Sequence, residues 1–218
     1  MSTQSSGLRL FWTEFRDNKV ALFALVVVIL MIFLALFASL ISPQNPYDLA
    51  NLSLMDSRRP PGFVGSGGYT HVLGTDPQGR DLLSAIFYGL RISIQIGLAA
   101  GFVSLTIGTA LGIAAAYLGG RVEALIMRLV DLQLSFPAIL LALVIVALLG
   151  QGKVQLIGAL VAAQYAYFAR TAYGAAKAER GKDYIEAALA TPLSGRLVVW
   201  RHLLPNCTPP LIVLQPSR

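Results

Sequence analysis

Few side chains in this sequence combine into a pattern that performs chemistry. The histidines His71 and His202 stand far apart, and the topology derived below places them on opposite sides of a membrane, where they cannot share a metal ion. Gly150 opens a Gly-Gln-Gly-Lys run that is too short for a phosphate-binding loop. Ser104 and Ser135 have no nearby histidine to activate them, and we expect each hydroxyl to bond to a helix carbonyl. The residues therefore predict no catalytic site and no metal site.

Residues 71–84 form a polar segment in which turn formers precede an amphipathic pattern. Asp76, Pro77 and Gly79 are typical turn residues. After Asp81, apolar residues follow at the spacing of one helix face: Leu82, Leu83, Ile86 and Phe87. An apolar face beside a membrane span predicts a helix that lies along the outer membrane interface.

A second unusual segment begins at Asp183. Glu186 follows three residues later, which resembles a capping box with aspartate as the N-cap. The Ala-Ala-Leu-Ala run at 187–190 favours a helix and carries little side-chain bulk. One interpretation is a smooth helix that enters a groove on a partner, and the other is a plain connecting helix.

The composition indicates the solvent in which these segments fold. Hydrophobic residues make up 56% of the 218, and charged residues make up 13%, which is about half the usual share. A soluble domain of this size cannot bury so much apolar surface, so we predict a membrane protein. Cys207 is the single cysteine in the sequence, which excludes a disulfide scaffold. The net charge of +6 indicates basic cytoplasmic loops rather than nucleic-acid binding.

Long apolar runs predict four membrane-spanning helices, at residues 20–41, 92–118, 132–149 and 154–176. The first run is longer than the apolar region of a signal peptide, and we interpret it as a retained anchor. Pro137, near the start of the third, predicts a kink. A fifth run begins at residue 203, but prolines interrupt it, so residues 203–218 are expected to form an incomplete span. The predicted fold class is an all-α polytopic membrane protein.

The distribution of lysine and arginine predicts the orientation. Basic residues are frequent before the first span, after the second and after the fourth, whereas those between the first two are balanced by aspartates. Cytoplasmic loops are enriched in basic residues, so residues 1–19 and the loop 177–202 are predicted to be cytoplasmic. Residues 42–91 then form an extracytoplasmic loop, and residues 92–218 form the transmembrane core.

Small residues recur at every fourth position along the second span: Ala100, Ser104, Gly108, Gly112 and Ala116. Gly97 and Gly101 form a second pair. Such ridges let helix backbones approach closely in lipid. We interpret the ridge as a helix-packing surface, and the alternative is a face that lines the substrate path.

Two motifs occur in order along the chain. The pattern His-x-Leu-Gly-Thr-Asp-x-x-Gly-Arg-Asp-x-x-Ser includes His71, Gly74, Thr75, Asp76, Gly79, Arg80, Asp81 and Ser84. The second comprises Glu186, Ala187 and Ala188, followed by Leu204 and Pro205. Together they resemble the C-type permease subunit of the ABC importers for dipeptides, oligopeptides and nickel. The resemblance extends over about residues 8–213.

The resemblance implies a type I ABC importer transmembrane domain with six spans, four of them complete here. It implies a second permease subunit as a heterodimer partner, two cytoplasmic ATPase subunits that use ATP and Mg²⁺, and an extracytoplasmic solute-binding protein. The chain itself would bind no cofactor, metal or nucleic acid and would catalyse no reaction. Its substrate would be a small peptide or a related solute such as nickel, and its location the inner (plasma) membrane, with a cytoplasmic N-terminus.

The resemblance also implies roles for individual residues. ATPase coupling is implied for Tyr184, Glu186, Ala187, Ala188, Pro192, Leu204 and Pro205. Contact with the solute-binding protein is implied for residues 71–84.

The sequence departs from the family pattern in two places. It ends where the fifth span forms, and residues 215–218 are unlike a helix continuation, which indicates a truncated gene. Pro192 stands where the family has glycine, and proline cannot adopt the left-handed conformation that ends a helix. Two other functions stay open: a truncated remnant that does not transport, and a secondary transporter or channel. The latter favours an ionisable residue deep in a span.

Overall fold

The computed structural model describes residue 12 and residues 15–48, 52–150 and 152–182. The chain divides into two compact units, Met1–Gln95 and Ile96–Arg218. The fifth apolar run and all the predicted coupling residues lie outside the described residues: Tyr184, Glu186, Ala187, Ala188, Pro192, Leu204 and Pro205.

The first unit begins with α1 (Lys19–Leu36), a helix long and apolar enough to cross a membrane. The Asn18 side chain accepts hydrogen bonds from the backbone N–H groups of Val20 and Ala21, each at 3.1 Å. These bonds satisfy two of the donors that a helix start leaves free. Within this helix Ala35 alone is buried. Because an apolar helix without a buried face needs an apolar surrounding, α1 is suited to contact with lipid.

After the short helix α2 (Ala38–Ile41), the chain enters a polar loop segment, which we define as residues 42–81. It contains a 3-10 turn, Leu54–Asp56, and a hairpin of two short strands, β1 (Phe63–Val64) and β2 (Thr70–His71). The strands pair antiparallel, with Phe63 opposite His71 and Val64 opposite Thr70. The segment predicted as a loop therefore has a defined fold of its own.

A single helix of 37 residues, α3 (Leu82–Leu118), follows the polar loop segment. The sequence predicted an interfacial helix near Leu82 and a separate span from residue 92, and the structure joins the two. No proline lies between them, and Arg91 does not end a helix because arginine is a good helix former. At 1.5 Å per residue α3 is about 55 Å long, well beyond the roughly 30 Å of a hydrocarbon core.

The third predicted span consists of two helices, α4 (Gly120–Ser135) and α5 (Ala138–Leu149), which meet at an angle of 90°. Proline has no backbone N–H and disfavours helical geometry in the residue before it. Phe136 accordingly has an extended conformation, with φ −93° and ψ 140°. The kink predicted from Pro137 is therefore a sharp corner, and helix extends well before residue 132, where the span was predicted to begin.

The last described helix is α6 (Lys153–Arg180), and its buried residues are all alanine: Ala159, Ala163, Ala166, Ala169, Ala172 and Ala176. Among the described residues, α1 and α3 are long and apolar enough to cross a membrane, and the bent α4–α5 pair makes a third if it counts as one span. The prediction of four complete spans is not confirmed, because many small and polar residues lower the hydropathy of α6.

In the second unit, α6 runs parallel to α3. Gly108 of α3 lies against Tyr165 and Ala169 of α6, and Gly112 lies against Ala169 and Tyr173, so both helices advance in the same direction. Two adjacent parallel helices require the chain between them to travel back. The α4–α5 pair therefore makes one return passage along the bundle.

The first part of that return, α4, runs antiparallel to α6. Glu123 near the start of α4 bonds to Lys177 near the end of α6, and Asp131 further along α4 bonds to Arg170. The chain then turns at Pro137 and reaches the start of α6 through α5.

Candidate functional site

The interior of the polar loop segment is organised by a buried side-chain contact between His71 and Asp81. His71 Nδ1 lies 3.0 Å from Asp81 Oδ1, and the two side chains are 1% and 0% exposed. The other carboxylate oxygen, Oδ2, accepts hydrogen bonds from both the backbone N–H and the hydroxyl of Ser84, each at 2.7 Å. Asp81 is thus the N-cap of α3 as well as the partner of His71.

Gln44 ties the start of the polar loop segment to the same group. Its side-chain oxygen accepts a hydrogen bond from the Asp81 N–H at 2.8 Å, and its own N–H lies 3.4 Å from Ser84 Oγ. Sequence reasoning missed Gln44, because a single glutamine after a span carries no motif that distinguishes it.

Thr75 and Asp56 hold the middle of the segment. The Thr75 hydroxyl accepts from the Arg59 N–H at 2.8 Å and donates to the Asp56 carbonyl. Asp56 Oδ2 accepts two hydrogen bonds from Ser66, from the hydroxyl at 2.6 Å and from the backbone N–H at 2.9 Å. The hydroxyl of Ser66, with the backbone N–H second, holds the pKa of Asp56 below its usual value.

Asp76 and Arg80 close the turn that precedes Asp81. Arg80 Nε lies 2.7 Å from Asp76 Oδ2, and Asp76 Oδ1 accepts from the N–H groups of Gln78 and Arg80 at 2.8 and 3.0 Å. Burial alone would raise the pKa of Asp76, but these hydrogen bonds outweigh it and the pKa is lowered.

Two glycines of the motif are required by both conformation and space. Gly74 and Gly79 have φ values of +81° and +77°, which side chains disfavour. A Cβ at Gly74 would collide with the Arg59 carbonyl, and one at Gly79 with the Ser53 carbonyl. The chain can close on itself here only because these positions carry no side chain.

The structure brings the whole predicted outer motif together, with most of it facing inward. Six of its residues are buried and Asp76 and Arg80 are half-buried; the buried ones are His71, Gly74, Thr75, Gly79, Asp81 and Ser84. The exposed surface of the segment comes from other residues, among them Leu54, Met55, Val72, Leu73 and Gln78. The buried motif residues therefore determine the conformation of the segment, and the residues beside them in the sequence form its exposed surface.

The small-residue ridge of α3 lies against α6 where it passes through the second unit. Gly108 and Gly112 are buried, and a Cβ at either would collide with an α6 carbonyl, that of Tyr165 or Ala169. Gly101, by contrast, has open space around the position of its Cβ. The same holds for Gly97, at the start of the second unit.

Two hydroxyl groups on α3 are buried without a hydrogen-bond partner in the described part of the chain, those of Ser104 and Thr109. The expected bond from Ser104 to a helix carbonyl is absent there, so that prediction is wrong. Ser135 does donate to the Leu132 carbonyl at 2.6 Å, as expected. Ser104 belongs to the ridge, where the backbones lie close enough to enclose it.

A second polar cluster, which sequence reasoning missed, surrounds the corner between α3 and α4. Arg180 Nη1 donates to the carbonyls of Ala116 and Tyr117 at 2.6 and 2.9 Å. Glu123 Oε1 accepts from Lys177 Nζ at 2.7 Å and from the Tyr173 hydroxyl. The spacing of residues 173, 177 and 180 on one helix face is a signal that could have indicated a shared partner.

Comparison with known proteins identifies the chain. The family model described as "Binding-protein-dependent transport system inner membrane component" matches residues 108–218, which is half of the sequence. The model of the "N-terminal TM domain of oligopeptide transport permease C" matches residues 6–61. The chain belongs to the binding-protein-dependent transport permease family. The resemblance read from the sequence motifs is thereby confirmed.

Relatives of this permease are named as permease proteins of peptide and glutathione transport systems. It is 37% identical to the di/tripeptide transport system permease protein DppC of Pseudomonas aeruginosa over 208 residues, 95% of this chain and 68% of the relative. It is 37% identical to the dipeptide transport system permease protein DppC of Escherichia coli K12 over 206 residues, 94% and 68% of the two chains. A glutathione transport system permease protein, GsiD of Pectobacterium atrosepticum, is 33% identical over 208 residues, 94% and 65%.

The matched regions include the whole Arg180–Glu123 cluster but only the start of the polar loop segment. The permease is a multi-pass inner-membrane component whose apolar helices match that class. Its first matched region includes α1 and the start of the polar loop segment, and its second includes α4, α5 and α6. In the described part of the permease, no group of three or more His, Cys, Asp or Glu side chains is placed to hold a metal ion.

Proposed function

We propose that this permease is the translocation subunit of an ATP-driven importer for small peptides. The observation that carries the proposal is the 37% identity to a di/tripeptide permease over 95% of the chain. Relatives named for dipeptides and for glutathione favour short peptides over nickel. The permease moves solute, and the ATP and Mg²⁺ are used by partner subunits.

The partners follow from the family. They are a second permease subunit, two cytoplasmic ATPase subunits and an extracytoplasmic solute-binding protein. The exposed residues of the polar loop segment, held by the His71–Asp81 pair, supply the surface for the solute-binding protein. Basic residues are frequent before α1 and at the end of α6, which supports a cytoplasmic location for the N-terminal segment and for the end of α6.

Coupling to the ATPase subunits is assigned to the loop 177–202. Tyr184, Glu186, Ala187 and Ala188 enter a groove on the ATPase subunit, while Pro192, Leu204 and Pro205 set the path of the chain after them. Closure of the ATPase dimer then displaces this segment and rocks the bundle between inward-open and outward-open states.

A secondary transporter or channel is the less favoured alternative. Such a protein would be expected to expose an ionisable side chain inside the bundle. Arg170, which lies inside the predicted fourth span, is instead paired with Asp131 at 2.9 Å, and both side chains are more than half exposed. A functionless remnant is the other alternative, and an uptake measurement separates it from the proposal.

The proposal is tested by uptake and capture. Right-side-out vesicles that contain the complete set of subunits should accumulate labelled dipeptide only with ATP in the lumen and the solute-binding protein outside, and should not accumulate nickel. Ala188→Trp should abolish capture of the ATPase subunits because overpacking a close contact costs about 1–3 kcal/mol per site. Glu186→Ala should act more mildly, and Pro192→Gly should strengthen capture.

Ala124→Trp, on an exposed position of α4, is the matched control and should leave capture unchanged. Undiminished capture by Ala188→Trp would show that the segment is a plain connector. Absence of dipeptide uptake by the intact complex would contradict the function itself.

A further inference from the structure

We propose that the end of α6 and the corner between α3 and α4 form a mechanical joint that passes movement of the ATPase-coupling loop into the bundle. The joint consists of Tyr173, Lys177 and Arg180 on α6 and of Glu123 on α4, together with the last carbonyls of α3. This inference rests on the proposed function and assigns positioning residues to it.

The first half of the joint is the contact of Arg180 with the end of α3. A helix leaves its last four carbonyls without partners, and a cation there also interacts favourably with the helix dipole. Arg180 supplies the hydrogen-bond donor and the positive charge, because one guanidinium nitrogen donates to the carbonyls of Ala116 and Tyr117 at 2.6 and 2.9 Å. The end of α3 is thereby bonded to the last residue of α6.

The second half is the contact of Glu123 with α6. Glu123 lies in the first turn of α4, and one of its carboxylate oxygens accepts from both Lys177 and Tyr173. The chain turns between α3 and α4 through two glycines in the left-handed region, Gly119 at φ +67° and Gly120 at φ +57°. Three side chains of one helix face therefore hold both sides of a tight corner.

The position of the joint explains why it can transmit movement. Arg180 ends α6, only a few residues before the predicted coupling helix at 183–190. Further along, α3 and α6 meet through the small residues Gly108 and Gly112, which make close contact but no side-chain hydrogen bond. Directional bonds at the joint fix the two helices against sliding, so a displacement after residue 180 moves α3, α4 and α6 together.

Uncoupling is the expected consequence of breaking the joint. In the complete importer reconstituted in vesicles, Arg180→Ala should leave assembly and ATP hydrolysis in place and reduce peptide import. The number of ATP molecules hydrolysed per peptide imported should rise at least about fivefold, the lower end of ordinary coupling between sites. A residue with a purely structural role would lower import and hydrolysis equally and leave this ratio unchanged.

The matched control is Arg170→Ala. Like Arg180, Arg170 is an arginine of α6 that bonds to another helix. Its partner is the Asp131 carboxylate of α4, and it lies away from the corner. The ratio should stay at the wild-type value in this variant. Arg180→Lys keeps the charge and a donor at the end of α3, and it should restore most of the coupling that Arg180→Ala loses.

A charge exchange at the second half tests the joint independently. Glu123→Lys and Lys177→Glu should each raise the number of ATP molecules hydrolysed per peptide imported. The double variant should return this ratio toward the wild-type value. An unchanged ratio in Arg180→Ala, or single and double exchange variants that lose import and hydrolysis in parallel, would overturn the joint while leaving the importer function intact. Failure of the wild-type complex to import peptide would instead overturn the proposed function, and the joint with it.

Discussion

The Asp56 carboxylate and Ser66 are joined by two hydrogen bonds to a single oxygen, at 2.6 Å from the hydroxyl and 2.9 Å from the backbone N–H. The residues lie ten positions apart, one in the 3-10 turn and the other between β1 and β2. This contact closes the hairpin against the rest of the polar loop segment. It also makes the segment sensitive to acid.

The stability of the polar loop segment should fall as the solution becomes acidic. Hydrogen bonds to the ionised carboxylates lower the pKa of Asp56 and of Asp76 in the folded protein. A group with a lowered folded pKa contributes its stability above the unfolded pKa, about 4 for aspartate, and loses it as the pH falls through the folded value. Proteolytic cleavage of the segment should therefore accelerate below about pH 4.

Ser66→Ala identifies the contact responsible. It removes the hydroxyl bond, so the Asp56 pKa should rise toward its usual value and the acid dependence of cleavage should become shallower. Ser93→Ala, at an exposed serine on α3, serves as the control. Equal pH profiles for the wild type and Ser66→Ala would show that this bond does not set the acid response.

Glycine substitutions on α3 should separate contact positions from open ones. Gly108→Ala and Gly112→Ala place a Cβ against the α6 backbone, and overpacking of this kind costs about 1–3 kcal/mol. Gly101→Ala is the control, since its Cβ meets open space and alanine is a better helix former. Melting of the purified protein in detergent should show a lower midpoint for the first two and an equal or higher one for the third. Equal midpoints in all three variants would argue against close α3–α6 packing.

Removal of the Asp81 carboxylate should destabilise the polar loop segment more than any change on its surface. Asp81→Ala leaves His71 without its hydrogen-bond partner and removes the cap of α3, and leaving one buried hydrogen-bonding group unsatisfied costs roughly 1–3 kcal/mol. Asp81→Asn keeps an oxygen for Ser84 and should cost less. Tryptic cleavage after Arg58 measures the loss. Gln78→Ala, in the exposed part of the turn, should cleave at the wild-type rate, and a similar acceleration in it would contradict this ranking.

Cysteine labelling should decide the orientation of the chain. In a Cys207→Ser background, Met55→Cys should react with a membrane-impermeant maleimide on intact cells, because Met55 is 82% exposed and lies in the predicted extracytoplasmic loop. Lys182→Cys should react only after the membrane is permeabilised. The opposite pattern would show that the N-terminus is extracytoplasmic.

The membrane class, the helical fold and the family could be predicted from the sequence. The free energy of transfer from water to lipid is roughly a sum over residues. The apolar run of α1 therefore indicates a lipid surrounding without reference to the rest of the fold. The outer motif could likewise be recognised from the sequence, because Gly74, Thr75 and Asp81 occur at the spacings of the family pattern. The periodicity of small residues identified Gly108 and Gly112 as positions of close approach, and the structure places both against α6.

Only the tertiary structure decided which of these residues meet. Proline at 137 predicts a break in a helix, but the 90° angle depends on how α4 and α5 lie along α6. The same applies to Gln44 with Asp81, and to Arg180 with the carbonyls at the end of α3. These partners lie 37 and 64 positions apart, and local patterns specify a helix face or a turn but not the distant backbone group that it reaches. That choice is made when the helices pack and the buried backbone N–H and carbonyl groups find partners.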